Sequence, residues 1–204
     1  MNKAFIFDWS GTLSDNSHLF LEVCRRMFIE LGKEPISEDE MRRNFTLPYM
    51  KFWNKYFPDL SKEKQDELNR KYMQLVGKPE LYSNVKEVIE ILHQRGFKLF
   101  ILSSDHVLLP EVQRLGLSGL MTEVIGAIHD KKDVIVSLLE KYQLDKDQTF
   151  YVGDTSGDVE AGKHAMVKTI GISWGFQHKD ILAASNPDYL VDDIIEIKNI
   201  LFKS

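Results

Sequence analysis

Short apolar runs recur along the chain at Lys3–Phe7, Lys98–Ser103, Glu123–Gly126, Thr149–Val152 and Thr169–Ile172, each bounded by polar or turn residues. Runs of this length read as strands buried on both faces. Between most of them apolar positions recur every three or four residues. The pattern therefore predicts an α/β fold, a doubly wound, Rossmann-like parallel sheet. One stretch departs from this alternation. From Ser14 to about Tyr82 the spacing is helical, with helices predicted over Ser17–Leu31, Ser37 to about Asn44, Tyr49–Tyr56 and Ser61–Val76. Ser37 and Ser61 stand as their N-caps where those residues precede the helical pattern. Cys24 falls on the stripe Leu19, Phe20, Val23, Cys24, Met27, Phe28, Leu31, where it reads as a packing residue. An all-helical insertion after strand one divides the chain into a core domain, residues 1–14 and 82–204, and a cap, residues 15–81. Its expected hinges are Leu13–Asn16 and Gly77–Tyr82.

The chemistry sits where the strands stop. The first run ends on a carboxylate and a small turn, Asp8-Trp9-Ser10-Gly11-Thr12. Open α/β sheets hold their ligands at the carboxyl ends of strands, and a charge there is costly unless a metal or substrate uses it. The fourth run repeats the pattern in Val152-Gly153-Asp154, and Asp158 follows four residues later. Three carboxylates on one sheet edge repel each other unless a hard divalent cation joins them, and an all-oxygen site suits Mg²⁺. The second run ends on Ser103-Ser104. Asp130-Lys131-Lys132-Asp133 offers ammonium groups at the start of a helix predicted to reach about Tyr142. Carboxylate nucleophile, hydroxyl, lysine and metal acids, in that order, are parts for phosphoryl transfer through an aspartyl phosphate.

With these motifs the chain resembles the haloacid dehalogenase superfamily, over nearly its whole length. It is most similar to the phosphoglycolate phosphatase and β-phosphoglucomutase-like subfamily, which implies a type 1 helical cap. The resemblance puts Asp8 on the nucleophile, Ser103 on the phosphate-binding hydroxyl, and Asp154 with Asp158 on the metal acids. Lys131 is the better match for the family lysine, with Lys132 as the second candidate. The metal set it implies is Asp8, the Ser10 backbone carbonyl, Asp154 and Asp158 around Mg²⁺. Trp9, through its backbone N–H, Thr12, Ser103, Ser104 and Lys131 would serve the phosphate. The expected activity is a Mg²⁺-dependent phosphatase acting on a small phosphorylated metabolite.

One position departs from the family motif Asp-x-Asp-Gly-Thr. Its second Asp protonates the leaving oxygen and then activates water; here it is Ser10, whose pKa suits neither task. Losing such a group costs roughly 10²–10⁴-fold in rate, so slow hydrolysis or a restricted substrate set is expected. Asp-Trp-Ser-Gly-Thr also resembles the Asp-Trp-Ala-Gly-Thr of phosphonoacetaldehyde hydrolases, which use a cap lysine; Lys51 is the candidate, although it lies about two positions late. The same motif is compatible with a phosphotransferase or mutase, and with a catalytically weak regulator that binds phosphorylated ligands.

Composition narrows the classes. The 204 residues are 43% hydrophobic, enough for one core with an accessory unit. A net charge of −5 argues against nonspecific nucleic-acid binding. No apolar run approaches the ~20 residues of a membrane span, and Met1-Asn2-Lys3-Ala4 leads into the first strand without a signal-peptide pattern. The expectation is a cytoplasmic monomer or weak homodimer with a small-molecule partner. In the cap, Arg42 or Arg43 could grip a second anionic group, or both could be solvated helix charges. His106 and His129 lie on loops at the active edge, while His18, His93, His164 and His178 read as surface positions. Asp105 reads as an N-cap before Val107, and Ser173-Trp174-Gly175-Phe176 closes the core beside the pocket.

Overall fold

All five apolar runs become strands of one parallel sheet in the computed structural model, which describes residues 2–46, 49–128 and 130–200. The strands are β1 (Ala4–Asp8), β2 (Ser14–Asp15), β3 (Glu80–Leu81), β4 (Lys98–Leu102), β5 (Glu123–Ile125), β6 (Thr149–Gly153), β7 (Lys168–Ile172) and β8 (Tyr189–Val191). The helices are α1 (Ser17–Glu30), α2 (Glu38–Asn44), α3 (Tyr49–Tyr56), α4 (Lys62–Met73), α5 (Val85–Gln94), α6 (Leu108–Arg114), α7 (Lys131–Lys141), α8 (Ser156–His164), α9 (Lys179–Ala184) and α10 (Ile197–Ile200). The six-stranded sheet runs β5-β4-β1-β6-β7-β8. Strand order reverses on either side of β1, the topological switch point at which such sheets bind ligands.

Alternation along β1 builds both faces. Phe5 and Phe7 join the cluster with Val85, Ile89, Leu99, Ile101, Phe150 and Val152. Ala4 and Ile6 turn to the other side, with Phe100, Leu102, Ile135 and Tyr151. Every β1 residue is buried, as expected for a central strand covered by helices. In parallel register Asp8 faces Leu102 of β4, and Phe7 faces Val152 of β6, so the ends of three neighbouring strands open on one edge.

The helical insertion encloses a separate apolar cluster of Val23, Cys24, Met27, Phe28, Met41, Phe52, Trp53, Phe57 and Leu68. Burial pushes the Cys24 thiol up, away from reactivity. Ser37 and Ser61 cap as expected, accepting from Glu40 N at 3.1 Å and Lys64 N at 3.2 Å. The α4 helix stops at Met73, short of Val76. Two features differ from the sequence expectation. The expected hinges contain strands: β2 and β3 pair antiparallel, Ser14 with Leu81 and Asp15 with Glu80. Two-residue strands carry no periodicity, so nothing in the pattern marks them. The edge strand β8 is not expected from the pattern either; it has only three residues and follows Asn186-Pro187-Asp188. Among the described residues, no helix is long and apolar enough to cross a membrane.

Candidate active site

The turn after β1 is built to aim one carboxylate. Thr12, Leu13 and Ser14 all donate their backbone N–H to Trp9 O, at 3.3, 3.0 and 2.9 Å, winding the chain back below Asp8. Gly11 makes the reversal at φ +79°, where other residues are strained, and a Cβ there would lie 2.6 Å from Asp154 Oδ2. Thr12 is fully buried and donates to Asp8 Oδ2 at 3.1 Å. Its hydroxyl is thus engaged by Asp8, and Thr12 is not among the residues that line the cavity. The Trp9 indole is likewise in the core, 1% exposed, leaving its backbone as the part near the site.

The second acid comes from the end of β6. Asp154 Oδ2 accepts from Phe176 N–H at 2.5 Å, and Gly175 packs so closely on the same carboxylate that a Cβ would overlap it. Asp158 enters from the first turn of α8, where it forms a capping box with Thr155. Its Oδ2 accepts from Thr155 N at 3.1 Å and Thr155 Oγ1 at 2.6 Å. Its Oδ1 accepts from Tyr151 OH at 2.9 Å and Lys131 Nζ at 2.7 Å. Lys131 is also 2.6 Å from Asp8 Oδ1. Of the two candidate lysines, Lys131 is the one brought into the cluster. Lys132 lines the cavity, and its backbone N–H donates to Asp130 Oδ1.

Asp8, Asp154 and Asp158 each offer an oxygen, all within 4.8 Å of one another, and all three residues are buried. Burial, reinforced by the Asp158 charge, outweighs Lys131 and Thr12 and lifts Asp8 from an ordinary 3.8 to about 6. Burial and the Asp8 and Asp158 charges hold Asp154 well above the carboxylate range. Burial opposes the Asp158 charge as well, but Lys131 and the hydroxyl donors prevail and lower its pKa. For Lys131, burial is outweighed by Asp158 and Asp8, so its ammonium is secured. Three carboxylates thus face one ammonium, and the cluster lacks positive charge. Oxygen donors at this spacing fit one hard divalent cation.

A cavity of about 610 Å³ opens over the cluster, lined among others by Asp8, Ser10, Ser103, Ser104, Lys131 and Asp154, with Phe45, Tyr49 and Phe176 on its apolar side. Ser103 Oγ accepts from Asp105 N at 3.1 Å, which leaves its own proton for another acceptor. Asp105 Oδ1 accepts from Val107 N–H at 2.9 Å, but this corrects its expected N-cap role: α6 begins at Leu108, with Val107 at the cap position and no side-chain cap bond. His129 lies outside the described residues, and His106 is exposed and does not line the cavity.

Of the two readings left open for Arg42 and Arg43, the structure does not show the grip on a substrate anion. Arg42 Nη2 donates to Ser173 O at 2.7 Å, and Arg43 lies against Asp39, Asp180 and His178. Arg42 reaches a core carbonyl, Arg43 is an exposed helix charge paired with Asp39 and Asp180, and neither lines the cavity. His178, read as a surface residue, is instead half-buried and caps α9. Lys51 is exposed and borders a smaller cavity of about 250 Å³ with Thr155, Ser156, Glu160 and Gln177. Phe176 lines the cavity, as the turn Ser173-Trp174-Gly175-Phe176 was expected to, whereas the sequence pattern does not single out Tyr151, Thr155 or Gln177 as site residues. Thr155-x-x-Asp158 is a capping-box pattern that could have placed one of them beside the acid.

A parallel sheet that collects carboxylates from adjoining strand ends, with a helical insertion after its first strand, defines an α/β protein with an acid cluster at its switch point. Residues 5–172 match the family model described as haloacid dehalogenase-like hydrolase, and the chain belongs to that family. A phosphoglycolate phosphatase of Vibrio parahaemolyticus is 32% identical over 59% of this chain and 56% of its own length. The chain thus spans a little over half of that relative. A phosphoglycolate phosphatase of Synechococcus elongatus is 26% identical over 93% of this chain and 92% of its own. In fold, a haloacid dehalogenase-like hydrolase from Streptococcus pneumoniae superposes with a TM-score of 0.81 at 23% identity, covering 98% of each chain. These similarities agree with the phosphoglycolate phosphatase and β-phosphoglucomutase-like branch to which the motifs point.

Proposed function

We propose that this chain is a Mg²⁺-dependent phosphatase that hydrolyses a small phosphorylated metabolite through an aspartyl phosphate on Asp8. The observation that carries the reading is the Asp8 carboxylate, which lines the cavity at the switch point and is held between Lys131 and Thr12 beside Asp154. Phosphatases of similar sequence support it. Asp8, the Ser10 carbonyl and Asp154 would hold the cation, with Asp158 acting through water because its oxygens already accept from four donors. When bound, Mg²⁺ supplies charge neutralisation for the phosphoryl oxygens.

The residues divide the remaining work. Thr12 and Lys131 fix the rotamer of Asp8, so that one oxygen meets phosphorus in line. Lys131, anchored by Asp158, offers its ammonium to a phosphoryl oxygen, and Ser103 donates its hydroxyl proton to another. Phe45, Tyr49 and Phe176 narrow the water access to the acyl phosphate formed on Asp8. Ser10 can orient water but cannot take its proton, so breakdown of that intermediate is the slow step.

Ser10→Asp tests this assignment. Restoring an acid at this position is expected to raise kcat/KM for phosphoglycolate on the order of tenfold to a hundredfold. The gain for p-nitrophenyl phosphate, whose leaving group needs little protonation, should be several times smaller. Equal gains, or a loss on both, would show that Ser10 serves a different chemistry and favour the mutase or C–P cleavage readings. Lys51→Ala should retain phosphatase activity, and borohydride with phosphonoacetaldehyde should trap no lysine adduct.

A further inference from the structure

The loop after β7 touches the acid cluster on one side and the helical insertion on the other. Toward the core, Phe176 N–H holds Asp154 Oδ2 at 2.5 Å, Gln177 Oε1 accepts from Ser156 N at 2.7 Å, and Trp174 Nε1 donates to Thr12 O at 3.2 Å. Toward the insertion, the Phe176 ring stacks on Phe45 at 4.9 Å and 15° and meets Phe20 edge-on at 5.5 Å. Gln177 Nε2 donates to Phe45 O at 3.3 Å, Arg42 Nη2 to Ser173 O at 2.7 Å, and His178 N–H to Arg42 O at 3.0 Å. One short segment therefore carries both the contact that fixes Asp154 and the contacts that seat α1 and α2.

A carboxylate oxygen held by a backbone N–H moves with that backbone. Here little slack is available, because Gly11 and Gly175 press on Asp154 from two directions with no room even for a Cβ. Ring stacking on Phe45 and the Arg42 bond to Ser173 hold the same backbone from the opposite side. We propose that Phe176 is a positioning residue through which seating of the helical insertion sets the Asp154 carboxylate for the cation. The inference rests on the reading of Asp154 as a cation ligand. It adds that cation binding and seating of the insertion are coupled, and coupling of this kind is reciprocal.

The test separates the coupling from the metal reading. Phe45→Ala and Arg42→Ala cut the insertion's hold on the loop while leaving every partner of Asp154 in place. Mn²⁺ is titrated into the substrate-free protein and free ion is read by electron paramagnetic resonance. Each variant is expected to bind Mn²⁺ about three- to tenfold more weakly, the scale of one ring stack or one charge-assisted hydrogen bond. Arg42→Lys should recover part of the loss. If Phe45→Ala does not fold, Phe45→Leu keeps apolar bulk without the ring and should show the same shift. In the parent, Mn²⁺ should slow amide exchange over residues 37–46, and this effect should shrink in Phe45→Leu. Mn²⁺ affinity within twofold of the parent in both Phe45 and Arg42 variants overturns the coupling, provided that Asp154→Asn abolishes binding. A parent that binds no Mn²⁺, or an Asp154→Asn protein that binds it as the parent does, overturns the metal reading and the coupling with it.

Discussion

Asp8→Asn is expected to lower phosphate-ester turnover by at least about 10³-fold, since an amide cannot attack phosphorus. Lys131 lies between Asp8 and Asp158. The fold should survive. Burial already favours the uncharged form of Asp8, and the amide removes one of three mutually repelling carboxylates. The expected result is a protein with an unchanged or slightly raised Tm in the absence of metal, and no measurable turnover. Activity within tenfold of the parent would remove Asp8 from the mechanism.

Asp154→Asn is expected to cost at least about 10²-fold in kcat/KM and to abolish stabilisation by Mg²⁺. The pH dependence of that stabilisation has a definite sign. Asp8 rises from 3.8 to about 6 in the folded metal-free protein, and Asp154 is also held well above the carboxylate range. Between about pH 4 and 6 the folded state therefore keeps a proton that the unfolded chain has released. Metal-free stability should fall as pH rises through this window. A cation must displace that proton, so the rise in Tm on adding Mg²⁺ should be small at pH 5 and larger at pH 7.5. Asp154→Asn should show little rise at either pH. A Mg²⁺ effect that is equal at both pH values, or that persists in Asp154→Asn, would place the cation elsewhere.

Much of this arrangement was legible in the sequence, for physical reasons that differ by element. Strands β1, β4, β6 and β7 are continuous apolar runs because helices cover both faces, and each stops abruptly at a polar residue. That same abruptness exposed Asp8, Ser103 and Asp154. Lys131 was recognisable from its place at a helix start, although only the fold shows it bridging Asp8 and Asp158 rather than its neighbour Lys132. What the pattern could not carry depends on partners distant in the chain. Pairing of β2 with β3 joins segments with no apolar alternation. Arg42 looks like a free cation until Ser173, far along the chain, supplies the carbonyl it binds. Phe176 reads as a residue beside the pocket, but its hold on Asp154 comes through a backbone N–H, which every residue except proline has.

The most direct measurement is acid quenching of the enzyme during turnover with Mg²⁺ and p-nitrophenyl phosphate, whose leaving group needs little protonation, followed by mass mapping of the peptide containing Asp8. Because Ser10 leaves hydrolysis of the acyl phosphate without a base, the intermediate should accumulate. A single phosphoryl group should appear on Asp8, together with a stoichiometric burst of released p-nitrophenol. Ser10→Asp should diminish both. Steady turnover with no burst and no phosphoryl group on Asp8 would contradict covalent catalysis by this carboxylate.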